Sequence, residues 1–112
     1  MGAITGTPLY QRRMDRKLVR QAENAFLDYF DEEARPLMDP RDKLAVIHAL
    51  RGLKVDQREA VKCVLTRAYE AKGADRMALY NEVAGELYVS WATLREWVRK
   101  ARTLYALERG LI

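Results

Sequence analysis

The sequence predicts an all-α fold of about five helices. Apolar residues recur at spacings of three and four through most of the chain, and no segment alternates with period two for long enough to make a strand. Proline, glycine and aspartate fall where such helices would begin and end. The 112 residues are 49% hydrophobic and 32% charged, which is ample apolar content for one folded domain and too much for a disordered chain.

Residues 1–10 carry Gly2, Gly6 and Pro8 and no periodic apolar face, so they read as a flexible arm ahead of a single helical domain over 11–112. Met14, Leu18, Ala22, Ala25, Phe26 and Tyr29 form the stripe of a first helix from about Arg12 to Ala34, stopped before Pro36. Asp39 as N-cap and Pro40 at the first helical position open a short second helix. Leu44, Ile47 and Leu50 make its inward stripe, and Gly52 fits its C-terminal cap. Asp56 with Glu59 three residues on has the form of a capping box. The third helix that it opens points Ala60, Val61, Val64, Leu65 and Ala68 inward and ends near Gly73. A fourth helix spans about Asp75 to Tyr88 and a fifth about Trp91 to Arg109.

The formal net charge is +4 with a pI near 9.4, a balance that suits a polyanionic partner. Arg12, Arg13, Arg16, Lys17 and Arg20 crowd the first helix, and Arg95, Arg99, Lys100, Arg102 and Arg109 crowd the last. Asp28, Asp31, Glu32 and Glu33 form an acidic patch between these zones. The lone Cys63 has no disulfide partner and reads as a small core hydrophobe, which points to a reducing, cytoplasmic setting. No apolar run approaches the ~18 residues of a membrane span, and neither a signal peptide nor, with Gly6 where Ser or Thr is needed, a myristoylation site is recognisable. His48, the single histidine, has no nucleophile beside it, and no Gly-rich loop cradles phosphate. We therefore expect no enzymatic activity, no cofactor and no metal site.

The stretch "VAGELYVSWATLREWVRK", Val83 to Lys100, carries most information. A helix-turn-helix needs a small residue where two helices cross, an apolar residue locking the turn, an N-cap and buried residues along the second helix. Ala84 is small, Val89 plugs the turn, Ser90 caps, and Val83, Leu87, Leu94 and Trp97 point inward. That phase turns Trp91, Ala92, Arg95, Glu96 and Arg99 away from the core, the face a recognition helix offers to base edges. Trp91 either meets a sugar or base or folds back onto Tyr88. Tyr88 stands where the turn usually favours glycine, so a left-handed backbone there has a cost, and a distorted or longer turn is the alternative.

From about Asp39 to Leu107 the chain resembles promoter-binding region 4 of bacterial sigma factors and the sigma-like helix-turn-helix regulators, phage late-gene antiterminators included. The matching pieces are "DQREAV", "EVAGELYVSWATLREWV" and "RKARTLYAL". Tyr88, the linker "KGADRMAL" and the N-terminal helix depart from that pattern, and the chain is too short for the other regions that a sigma factor needs.

The expectation is thus a DNA-binding transcription regulator whose helix-turn-helix, at about 75–109, places its last helix in the major groove. Arg95 and Arg99 are the leading base or phosphate contacts, with Trp91, Ala92, Thr93, Glu96, Lys100 and Arg102 beside them. Ser90 caps the helix and aims its N–H at a phosphate, and Arg12, Arg13, Arg16 and Lys17 supply secondary phosphate contacts. The rivals are a helical adaptor or inhibitor docking on RNA polymerase or another transcription protein, and a phage DNA-packaging subunit. Trp97, Ala101, Leu104 and Tyr105 continue the inward stripe and Leu107, Leu111 and Ile112 add apolar surface; residues Leu104 to Ile112, with or without the first helix, form a two-fold dimer interface, or the stripe packs within the chain on the helix spanning Met14 to Tyr29.

Overall fold

A computed structural model describes residues 14–71 and 75–112. The arm over 1–10, Arg12, Arg13 and the expected end of the third helix near Gly73 lie outside the described residues. Among the described residues the fold is all-helical, with five α-helices: α1 (Arg16–Phe30), α2 (Pro40–Arg51), α3 (Val55–Glu70), α4 (Arg76–Glu86) and α5 (Trp91–Glu108).

α1 begins later and ends earlier than its apolar stripe suggests. Asp15 caps it, accepting from the Leu18 amide at 2.8 Å, so Met14 lies outside the helix. At the other end Asp31 leaves the helical region and its carboxylate takes the Glu33 amide at 2.9 Å, competing with the helix for the backbone. A short 3-10 turn, Arg35–Leu37, then leads to Asp39, which caps α2 through the Arg41 amide at 2.8 Å.

The inward face of α2 differs from the expected one. Ala45, Val46 and Ala49 are buried, whereas Leu44 is 54% exposed and Ile47 and Leu50 are only partly buried. The physical reason is close approach to α5, the most extensive helix pair in the fold. Small side chains line the contact, and a Cβ at Gly52 would stand 2.9 Å from Leu104 Cδ1. The φ of Gly52, −78°, is open to any residue, so an added Cβ would have only the end of the Leu104 side chain to displace.

α3 also starts one residue before the expected capping box. Lys54 is its N-cap and Gln57 Oε1 accepts the Lys54 amide at 3.0 Å, while Asp56 sits inside the first turn. There Asp56 still favours the positive end of the helix dipole. Asp75 caps α4 through the Met77 and Ala78 amides at 2.9 and 3.4 Å.

α5 is the spine of the molecule and packs against each of the other four helices. Leu94, Val98, Ala101, Thr103, Tyr105 and Ala106 are its buried residues. Val98 completes a spacing of four with Leu94 that the sequence reading passed over. The Tyr105 ring lies 6.2 Å from that of Phe26 on α1, and its hydroxyl donates to Asp42 of α2 at 2.7 Å. The stripe of Ala101 and Tyr105 is therefore covered within the chain, and Leu111 and Ile112 remain partly exposed at 39% and 43%. No helix of the described residues is long and apolar enough to cross a membrane.

Candidate functional site

The connection between α4 and α5 is built from backbone hydrogen bonds that stop one helix and start the next. The Val89 amide donates to Ala84 O at 3.0 Å and the Tyr88 amide to Gly85 O at 3.3 Å, which is a Schellman closure with Tyr88 in the left-handed position. Tyr88 has φ 58° and a side chain 95% exposed, so the turn keeps its ordinary length and the residue bears the strain. Val89 packs against the core. Ser90 Oγ then accepts the Thr93 amide at 3.0 Å and donates to Thr93 Oγ1 at 2.8 Å, opening α5.

That start fixes the phase of α5. Leu94 and Val98 are fully buried, and Ala92, Arg95, Glu96 and Lys100 are exposed on the other side. Arg99 is half-exposed and paired with Glu96, one turn before it, at 2.7 Å. Trp97 is partly buried against the core and Leu87, expected inward, is 37% exposed at the helix end.

Trp91 does not fold back onto Tyr88. It is partly buried and packed against the core, and it shares the wall of a pocket with Met77 and Tyr80 of α4. Tyr88 is too exposed to be its cover. Arg95 covers it instead, with its guanidinium carbon 4.7 Å from the ring centre.

Two arginines of the basic C-terminal zone are engaged by carboxylates of other helices. Arg102 Nη1 lies 2.8 Å from Glu23 Oε2 of α1, with only 21% of its side chain exposed, so it braces α5 against α1. Arg109 Nε donates to Asp42 Oδ1 at 2.7 Å, alongside the Tyr105 hydroxyl. The Asp42 carboxylate holds the Arg109 guanidinium in its charged form and raises its pKa. Arg95, Arg99 and Lys100 are what the last helix offers outward, and on α1 Arg16, Lys17 and Arg20 are exposed. His48 pairs with Glu108 at 2.9 Å and Cys63 is partly buried.

Glu23 is the residue that sequence reading missed. It is the common partner of Arg102 and of Arg76, at 2.8 and 3.2 Å, and joins α1, α4 and α5. A signal existed: Glu23 lies next to Ala22 and one turn before Phe26, so it sits at the edge of the buried face of α1. Comparison of this chain with protein-family models, with curated proteins and with solved structures finds no match.

Proposed function

We propose that this protein binds duplex DNA through the outward face of α5 and acts as a helix-turn-helix transcription regulator. The observation that carries the reading is the exposed run of Ala92, Arg95, Glu96 and Lys100, with Arg99 beside it, on a helix whose opposite face is fully buried. A helix held rigidly from behind and bearing arginine and lysine in front presents the donors that guanine edges and phosphates accept. The Ser90 cap and the short turn at Tyr88 and Val89 set its start against α4, the supporting helix of such a motif. On this reading Thr93 and Glu96 lie near the base edges, Trp91 supports Arg95, and Arg102 acts from behind by bracing the helix. The exposed Arg16, Lys17 and Arg20 of α1 add a second basic zone.

Enrichment from a random duplex pool tests the proposal. Repeated selection on the immobilised protein should converge on a shared sequence, and an Arg95→Ala variant should lose that preference. A pool that stays random after selection, with no retention above bare resin, would overturn it.

A further inference from the structure

Between the start of α4 and the face of α5 lies a pocket of about 260 Å³, lined by Arg76, Met77, Tyr80, Trp91, Arg95 and Arg102. Its chemistry is unbalanced. Three arginines line it and only Glu23 pairs with any of them, touching Arg76 at 3.2 Å and Arg102 at 2.8 Å. Arg95 forms no ion pair among the described residues and stacks on Trp91. Two N–H donors on these side chains, Trp91 Nε1 and Arg102 Nε, are buried and have no acceptor among the described residues. Buried donors are nearly always satisfied. These two nitrogens are closed off from solvent and so from the pocket itself; what the pocket leaves open is an excess of positive charge, which an anionic group would answer.

We infer that this pocket holds a phosphate group. Guanidinium groups bind a tetrahedral oxyanion through paired N–H donors, and the Trp91 ring beside them reports on what enters. The aromatic walls, Tyr80 and Trp91, exclude water from one side and strengthen each of those bonds. Resting on the DNA reading above, the phosphate belongs to the backbone that flanks the groove entered by α5. Arg95 then links the two surfaces, since it borders the pocket and belongs to the exposed face. The same chemistry in a free phosphate compound is the other source.

Two measurements on the intact protein separate these. The first follows the indole N–H signal of Trp91 by nuclear magnetic resonance, assigned by its loss in Trp91→Phe, as inorganic phosphate replaces chloride at constant ionic strength. A saturable shift of that signal, weakened several-fold in Arg76→Gln, is expected. The second measures duplex affinity against salt for the parent protein and Arg76→Gln, whose log–log slope should be shallower by about one phosphate contact. Phosphate binding with no duplex binding would keep the pocket, assign it to a free phosphate compound and end the DNA reading. Salt-dependent duplex binding with an unmoved indole signal, and an unchanged slope in Arg76→Gln, would overturn the pocket and leave the DNA reading standing.

Discussion

Tyr88 and Gly110 occupy the same place in the same kind of helix ending. Gly110 closes α5 with φ 71°, its amide donating to Leu107 O and that of Leu111 to Ala106 O at 3.1 and 2.9 Å. Tyr88 closes α4 with φ 58°, where a Cβ is unwelcome. Tyr88→Gly should therefore raise the unfolding free energy by about 1 kcal/mol, the relieved strain exceeding the added freedom of the unfolded chain. Chemical denaturation checks this, and a lower midpoint for the glycine variant would count against the strained turn.

Tyr105 gives the pH-dependent counterpart. Burial, and then its hydrogen bond to Asp42, raise the phenol above its ordinary value of 10.0. Because the folded-state pKa is the higher one, this contribution to stability is fully present below pH 10 and is lost as pH rises through the folded value. Stability measured across that range should fall, and Tyr105→Phe should remove part of the fall while losing about 1 kcal/mol at neutral pH. An identical alkaline profile in the variant would contradict the assignment.

Among the elements, the phase of α5 was the most legible in the sequence. Ser90, Val89 and the spacing to Leu94 and Ala101 determine it locally, and the structure buries Leu94 and Ala101 completely. The phase of α2 was not legible, because its inward face is chosen by what α5 can approach. Large apolar residues marked the stripe by size, whereas the contact selected Ala45 and Ala49 for their smallness. A hydrophobicity pattern carries no information about the diameter of the partner helix. The bounds of α1 and the start of α3 also differ from the expected ones, since several neighbouring polar residues could open or close each helix and the periodicity does not choose among them. Leu94→Ala should lower stability by about 2–5 kcal/mol through the cavity left behind α5. Arg95→Ala should cost no more than about 1 kcal/mol, the worth of its stacking on Trp91. Comparable thermal losses in the two variants would mean that α5 presents a different face.

At the scale of the whole molecule, the sequence showed where basic residues cluster and could not show which are engaged. Arg102 and Arg109 belong to the C-terminal cluster by position, yet Glu23 and Asp42, more than 60 residues away along the chain, hold them at 2.8 and 2.7 Å. Long-range pairing of this kind depends on the fold being complete. The same closure bears on assembly. Tyr105, Ala101 and Ala106 are fully buried against the rest of the chain, leaving little more than Leu111 and Ile112 of the expected dimer surface exposed. Light scattering at micromolar concentration should accordingly give a mass near the 13.0 kDa of one chain. Twice that mass, reduced by deleting Leu111 and Ile112, would restore the dimer and with it a two-fold binding site.

The central claim, that the exposed face of α5 meets DNA phosphates and bases, is tested most directly by duplex affinity as a function of salt. With about four to six phosphates neutralised, the slope of log affinity against log salt should lie near −4 to −5. In a variant carrying both Arg95→Ala and Arg99→Ala it should become shallower by about 2, at roughly 0.9 for each phosphate no longer neutralised. Affinity that does not change with salt, or a slope that survives the removal of both arginines, would contradict the account.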